Sequence, residues 1–211
     1  MKIKSIIKIV VGFVSLFTAT MVASAAVVVS VDMDTSTPGI IDSSISVAPG
    51  ASLSVNLWLT VDASGLSSFS ISALFDTGEL SLNPPAGPAA SQPALPGGLI
   101  NFPPIPAENN ALGRVYSFQG GTFGTGPVST SFIFGSIAFT APTPLTDGLN
   151  DVSVGFFNGG FDDIFNNAGV SVAPTTVFVG GKVNAVPEPA SGALLVAGIS
   201  TLSLRRRHRT P

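Results

Sequence analysis

The sequence predicts an all-β protein that folds as an antiparallel β-sandwich over residues 27–185. Apolar residues in this body alternate with polar ones, which is the period of a strand, and no stretch has the period of an amphipathic helix. Glycine, proline, asparagine and aspartate separate the alternating segments, as turns require. Many short strands, each with one apolar face to bury, favour two sheets packed face to face.

The strands are assigned in chain order. In the stretch 52–61 leucine and valine hold every odd position, and serine, asparagine, tryptophan and threonine hold the even ones. The stretch 68–75 repeats this pattern after a turn at 62–65. Further strands are predicted at 27–33, 112–119, 131–140, 150–157 and 175–184. Four phenylalanines are assigned to the core, because burying each contributes about 2 kcal/mol or more: Phe132, Phe134, Phe156 and Phe157.

Residues 83–110 interrupt the alternation. The segment holds eight prolines, and each lacks the N–H donor that a central strand needs. We interpret it as a long surface insertion, either a flexible one or a binding loop. Leu99, Ile100, Phe102 and Ile105 within it favour the binding loop.

The first 26 residues have the three parts of a secretory signal peptide. Lys2, Lys4 and Lys8 form a basic start, an apolar run follows from residue 9 to residue 22, and small residues form a cleavage site at Ala23, Ala25 and Ala26. The apolar run is shorter than the ~20 residues of a membrane span, which disfavours a retained anchor. We therefore predict export through the Sec translocon and removal of residues 1–26 by signal peptidase.

The C-terminal 26 residues carry three signals in order. The motif Pro187, Glu188, Pro189 precedes an apolar run over residues 190–204, and four arginines and a histidine follow at 205–209. The run predicts a transmembrane helix, and the basic cluster predicts that its last turn stays on the cytoplasmic side. An ordinary C-terminal anchor would need the run and the charges but not the Pro-Glu-Pro motif.

This tail, from Val186 to Arg209, closely resembles the PEP-CTERM sorting signal of Gram-negative bacteria that make exopolysaccharide. The resemblance implies a precursor anchored in the inner membrane, which an exosortase cuts at or near Pro187, Glu188 and Pro189. It also implies that the body is then released to the cell surface or the extracellular matrix. In that case the motif is a substrate and not a catalyst.

The charges and residue types of the body exclude several functions. Between Val27 and Val186 eleven acidic residues face two basic ones, Arg114 and Lys182, a net charge of −9 that repels nucleic acids. Cysteine is absent, and the single histidine lies in the tail, which excludes Ser-His-Asp and Cys-His sites and the common zinc sites. Carboxylate pairs remain for a glycosidase, either Asp162 with Asp163 or Glu79 with Glu108, but we predict that the protein is not an enzyme.

Calcium is the cofactor that the acidic residues suit best, because it takes several hard oxygen ligands and tolerates irregular loops. Asp32 and Asp34 form one candidate cluster, and Asp162 and Asp163 form a second, with Asn166 and Asn167 close by in sequence. Neither cluster has the twelve-residue loop with its closing glutamate. The alternative is that these acids are solvated turn residues.

Two aromatic residues are candidates for stacking on a sugar, Trp58 and Tyr116. Trp58 lies opposite the Leu57 and Leu59 face of its predicted strand, so its ring is expected at the outer surface. The alternative is a partly buried ring whose N–H is satisfied by a hydrogen bond.

The body itself resembles the cohesin-like, or carbohydrate-binding-like, sandwiches. The matching segments are residues 31–34 with Pro38 and Gly39, residues 47–50, residues 65–69 leading to 74–76, and residues 180–183. The resemblance implies a jelly roll of about nine strands that binds protein or sugar and performs no chemistry. The insertion at 83–110 departs from the family pattern and puts a carried-over binding face in question.

These observations together predict an exported, exosortase-processed protein of the cell surface or extracellular matrix. Its non-catalytic binding or adhesion module would associate with exopolysaccharide, in a biofilm, or with another surface protein. The alternative is a structural module stabilised by calcium and without a ligand of its own.

Overall fold

The computed structural model describes residues 27–83, 88–102 and 106–186, and it folds them into fourteen strands and two 3-10 turns at Asn110–Leu112 and Ala173–Thr175. The first seven strands are β1 Val27–Asp32, β2 Ser44–Val47, β3 Ala51–Val61, β4 Ser68–Phe75, β5 Ser81–Leu82, β6 Ala90–Ser91 and β7 Ile100–Asn101. The others are β8 Ala107–Asn109, β9 Arg114–Gly121, β10 Thr130–Ala141, β11 Val152–Gly155, β12 Asp163–Phe165, β13 Thr176–Val179 and β14 Lys182–Ala185.

The strands form two main sheets and one small one. The first sheet has the order β13-β1-β3-β10, with β5 and β6 both on the outer side of β10. The second has β4 and β9 at its centre, with β11 and β12 beside β4 and with β7 and β8 beside β9. A third, two-stranded sheet joins β14 to β2. Nine of the described strands have four residues or more, which agrees with the predicted number.

The predicted strands at 27–33, 52–61, 68–75, 112–119 and 131–140 are confirmed to within two residues at each end. Strict alternation of apolar and polar residues is present over 52–61 and 68–75, whereas the strands at 112–119 and 131–140 change phase at a β-bulge. The strand predicted at 150–157 is shorter, because β11 ends at Gly155 and the chain leaves the sheet at Phe156. Strands β2 and β12 were not predicted.

The single strand predicted at 175–184 is wrong, since the structure divides it between two sheets. β13 lies parallel to β1 in the first sheet, and β14 lies parallel to β2 in the third, so the sandwich is not wholly antiparallel. The chain crosses over at Gly180 and Gly181, where the backbone of Gly181 bonds to that of Val152. A Cβ on Gly181 would collide with the Met33 side chain, so only glycine allows this crossing.

The proline-rich insertion contributes edge strands to both sheets. Of its described residues, β6 pairs with β10, and β7 and β8 pair with β9. These strands are two or three residues long. Prolines are tolerated at such edges, because the outer side of an edge strand needs no N–H donor.

The core lies between the two main sheets and is built around phenylalanines. Phe134, fully buried, packs edge-on against Phe69 at a ring-centroid distance of 5.4 Å and against Phe118 at 5.9 Å. Phe132 is buried too, which confirms both core assignments on β10. Phe156 is partly buried and packs edge-on against Phe178 at 5.0 Å. Phe157 lies outside the core, which corrects its assignment.

Several predictions fall on residues outside those described. They are the signal peptide at 1–26 with its cleavage site at Ala23, Ala25 and Ala26, the motif Pro187, Glu188, Pro189, the helix at 190–204 and the basic end at 205–209. Among the residues that the structure does describe, no helix is long and apolar enough to cross a membrane.

Phe134→Ala is expected to destabilise the protein by roughly 3–5 kcal/mol, because it leaves a cavity where the two sheets meet. Urea denaturation of the full chain measures the change in free energy of unfolding. Phe123→Ala is the matched control, since this ring is 96% exposed and its loss should change stability by less than about 0.5 kcal/mol. Equal effects of the two substitutions would contradict this description of the core.

Candidate functional site: a cleft on the outer face of the second sheet

The outer face of the second sheet depends on a β-bulge in β9. Ser117 has a φ of +62° and, with Tyr116, stands opposite Ser72 of β4, where the register between the strands shifts. The Ser117 N–H donates to the Ser72 Oγ at 3.1 Å. The extra residue lets Val115 and Phe118 both point into the core although they are three positions apart. Tyr116 and Gln119 therefore both face outward.

A loop over residues 156–162 covers part of this face and is tied to it by hydrogen bonds. The Asn158 Nδ2 donates to the Ser117 Oγ at 2.9 Å, and the Asn158 backbone N–H donates to the Asp162 Oδ2 at 2.9 Å. The other Asp162 oxygen, Oδ1, accepts from the Ser70 Oγ at 2.9 Å. The Phe157 ring lies directly over Gly155, where any Cβ would meet its ring carbons at 2.8 Å.

The sheet and this loop line an open cleft of about 640 Å³, which we call the aromatic cleft. A smaller pocket of about 220 Å³ adjoins it, shares Gln119 and Phe161 with it, and extends to Phe102 and Phe165. The Phe161 side chain is 75% exposed. The residues that define the aromatic cleft are Arg114, Tyr116, Gln119, Phe157, Asn158 and Phe161.

Tyr116, one of the two predicted sugar-binding residues, lies in this cleft. Its hydroxyl accepts a hydrogen bond from the Arg114 Nη1 at 3.0 Å, and the Arg114 Cζ is 5.9 Å from the centroid of its ring. The pair presents an aromatic face and a guanidinium side by side, an arrangement that suits a ligand with both an apolar face and polar groups.

Trp58, the other predicted residue, lies on the other sheet. It belongs to β3, where the neighbouring Leu57 and Leu59 point into the core, and it is half-buried. Its Nε1 donates to the Asp32 Oδ2 at 3.4 Å. The structure therefore does not bring Trp58 and Tyr116 together, and the satisfied indole N–H matches the alternative interpretation of Trp58.

The four aspartates predicted as calcium ligands each have local partners. Asp32 is only 2% exposed and also accepts from the Asp42 N–H at 3.1 Å. Asp34 is partly exposed, and hydrogen bonds from Ser36 lower the pKa of its carboxyl. Asp162 is bonded to the loop as described above, and the Asp163 Oδ1 accepts from the Ser171 Oγ at 2.7 Å.

A different set of acids forms the close group in this structure. Within residues 27–83, 88–102 and 106–186, the three acids whose oxygens lie within 4.8 Å of one another are Asp76, Glu79 and Asp151. We call this group the acidic cluster. Glu79 and Asp151 are each 2% exposed, and these carboxylates could hold a hard cation such as calcium.

The acidic cluster joins three parts of the chain through backbone hydrogen bonds. The Glu79 Oε2 accepts from the Leu145 N–H at 2.6 Å, and the Asp151 Oδ2 accepts from the Val183 N–H on β14. Burial raises the pKa of Asp151 to about 6, against the hydrogen bond from Val183, which lowers it. The negative charges of Glu79, Asp147 and Asp76 contribute to the same rise.

The carboxylates considered for glycoside hydrolysis all serve as hydrogen-bond acceptors within the fold. Glu79 is held at the acidic cluster, while the Glu108 Oε1 accepts from the Ala90 N–H at 2.6 Å and so joins β8 to β6. Asp162 and Asp163 bond to serines on different segments, Ser70 and Ser171.

Sequence reasoning missed most of the aromatic cleft and all of the acidic cluster. Arg114 had an available signal, since it is one of the two basic residues of the body and stands two positions before Tyr116 on one strand. Phe157 and Phe161 flank the sequence Asn158, Gly159, Gly160, which marks a turn rather than a strand. The acidic cluster has no such local signal, because Asp76 and Asp151 are 75 positions apart.

Asp151→Asn is expected to stabilise the protein at pH 7 and to have little effect near pH 4. The pKa of Asp151 is about 6 in the folded protein and 3.8 at its ordinary value, so the folded state binds the proton more tightly than the unfolded state. The contribution of Asp151 to the free energy of unfolding is therefore lost as the pH rises through that interval. Asparagine keeps an oxygen for the Val183 N–H without the charge.

Thermal melts of both proteins between pH 4 and pH 7.5, in the presence of a chelator, measure the difference. Asp34→Asn is the control, because that carboxyl is exposed and its pKa is lowered, so its removal should not stabilise the protein at pH 7. A constant difference between wild type and Asp151→Asn across the range would contradict the prediction.

The described residues share their fold with cohesin modules of known structure. A type II cohesin, A11, from Bacteroides cellulosolvens matches over 75% of this chain and 99% of its own length, with a TM-score of 0.51 and 10% sequence identity. A type III cohesin module from a cell-surface anchoring scaffoldin of Ruminococcus flavefaciens matches over 76% of this chain and 88% of its own, with a TM-score of 0.49 and 13% identity.

No family model and no curated protein matches the chain. The similarity to the solved structures is therefore one of architecture. The central part of this chain has a cohesin-like β-sandwich fold.

Proposed function

We propose that this chain is an exported protein of the cell surface or extracellular matrix whose cohesin-like sandwich is a non-catalytic binding module for exopolysaccharide. The observation that carries the proposal is the aromatic cleft. It is an open cleft of about 640 Å³, and the exposed ring of Phe161 contributes to its lining. Binding sites typically combine such a concave, largely apolar surface with a few polar groups that fix orientation.

The side chains of the aromatic cleft suit a sugar. The rings of Tyr116, Phe157 and Phe161 offer flat apolar faces, on which the C–H face of a pyranose can stack. The amides of Gln119 and Asn158 offer donors and acceptors for hydroxyl groups. The adjoining pocket of about 220 Å³ prolongs the cleft along the sheet, which favours a chain of sugars over a single small ligand.

Delivery to the surface is the part of the proposal that rests on the two ends. The signal peptide features of residues 1–26 support export, and the tail that resembles a PEP-CTERM signal supports cleavage by an exosortase in a Gram-negative bacterium. Strand β14 ends at Ala185, and the Val186 N–H still bonds to the Val47 carbonyl oxygen. The folded body thus extends to the residue before the Pro-Glu-Pro motif.

The non-catalytic nature of the module is supported by its side chains. The body holds no histidine and no cysteine, and its candidate catalytic carboxylates are engaged in bonds that hold the fold together. Association with another surface protein, in place of a polysaccharide, is an outcome that the binding assay distinguishes. A calcium-stabilised structural module without a ligand of its own is a second alternative to polysaccharide binding.

Phe161→Ala and Tyr116→Ala are each expected to weaken retention of the full chain on the host's own exopolysaccharide by about 10-fold, because each removes a stacking face. Affinity electrophoresis in gels with and without the polysaccharide measures the retention. Phe123→Ala is the control, since its ring is even more exposed than that of Phe161 but does not line the cleft. Unretarded migration of the wild type would contradict polysaccharide binding.

Melting temperatures of the same protein with calcium and with a chelator test the structural alternative. A melting temperature that rises with calcium, combined with no retention on polysaccharide, would favour the calcium-stabilised module and overturn the binding proposal.

The secreted form is expected to lack the signal peptide and the tail. Intact mass spectrometry of the protein recovered from the culture medium or the cell surface should give a mass that ends at or near Pro187, Glu188 and Pro189. Replacement of all three by alanine is expected to leave the tail in place and the protein in the inner membrane. A secreted mass that includes the arginines at 205–207 would contradict exosortase processing.

A further inference from the structure

Arg114 is a cation in a body whose charged side chains are mostly acidic. The body has eleven acidic residues and two basic ones, and one of those two lies in the aromatic cleft. Its guanidinium donates to the Tyr116 hydroxyl and lies against the Tyr116 ring. Among the described residues no carboxylate forms an ion pair with it, although carboxylates outnumber cations by more than five to one.

The Arg114 side chain is half-buried and lines the cleft. Among the described residues, Tyr116 is the one hydrogen-bond acceptor of its guanidinium. A guanidinium carries five donors in a planar fork, and this fork matches the two oxygens of a carboxylate. The fork is held in place by Tyr116, which reduces the entropy lost when a ligand binds.

We propose that the aromatic cleft binds a uronic acid residue of a polysaccharide, with the sugar carboxylate on Arg114 and the sugar ring against the aromatic walls. This inference rests on the proposed function and names the class of sugar. Tyr116, Phe157 and Phe161 supply the stacking faces, and Asn158 and Gln119 reach the hydroxyl groups. A neutral sugar would leave the guanidinium fork unpaired.

Because the body is acidic, Arg114 is the contact that would select an acidic sugar over a neutral one. A net charge of −9 repels a polyanion at long range, so affinity for an acidic polymer cannot come from a general basic surface. The one acid of the loop, Asp162, already accepts hydrogen bonds from Ser70 and from the Asn158 backbone. Binding of a uronate therefore depends on one short-range ion pair and should weaken when that pair is removed.

The test compares sodium polygalacturonate with the neutral galactan made by reducing its carboxyl groups. Titration calorimetry with the full chain measures both. We expect Arg114→Gln to weaken binding of polygalacturonate by about 10-fold or more, as for loss of a hydrogen-bonded charge pair. Lys182→Gln is the matched control, because it removes the same charge from β14 in the third sheet and should leave binding unchanged.

Arg114→Lys keeps the charge without the fork and should bind with an intermediate affinity, and melting temperatures of all variants check that they fold. Two outcomes would overturn the uronate inference: equal binding of the charged and the reduced polymer, or full binding by folded Arg114→Gln. In either case, retention on the host polysaccharide would still uphold the proposed function. Binding of polyglutamate in place of polygalacturonate would overturn it in favour of a protein ligand. Absence of binding to either polymer and to the host polysaccharide would overturn both proposals.

Discussion

The packing of Phe118 and Phe134 between the two sheets is the contact on which the rest of the structure depends. Each of these rings is placed by a β-bulge, one at Ser117 in β9 and one at the register shift between Ile133 and Gly135 in β10. Gly135 makes room for Phe118, since a Cβ there would meet the ring carbons at 2.6 Å. The two bulges therefore face each other across the core, and neither strand can run straight without displacing a phenylalanine.

The cleft is a consequence of the same constraint. In a regular strand Phe118 and Tyr116 would share a face, and a buried Phe118 would carry Tyr116 into the core with it. The bulge at Ser117 separates them, so Phe118 completes the core while Tyr116, two positions earlier, faces outward. Asn158 then bonds to the bulged Ser117 and fixes the loop that carries Phe157 and Phe161.

The acidic cluster attaches the last strand to the body without disulfides. The chain has no cysteine, and its last strand is attached to the body through parallel pairing with β2 and through the hydrogen bond from Val183 to Asp151. Burying that carboxylate beside Glu79 costs stability at neutral pH, because both groups lose water and repel each other. The arrangement keeps the C-terminal strand ordered up to the segment that we expect to be cut.

The sequence by itself determined the fold class and most of the long strands. Alternation over residues 51–61 and 68–75 is a local pattern, and each stretch buries the face that its apolar residues predict. The charge asymmetry and the absence of histidine and cysteine from the body are likewise properties of the chain alone.

Only the tertiary structure decided which strands pair and which side chains meet. Alternation indicates a buried face but not a partner, so residues 175–184 looked like one strand although Gly180 and Gly181 carry the chain from the first sheet to the third. Trp58 and Tyr116 have similar signals and lie on different sheets. Asp76, Glu79 and Asp151 meet because β4 and β11 are neighbours, a pairing that depends on distant parts of the chain and leaves no mark on the sequence around any one of them.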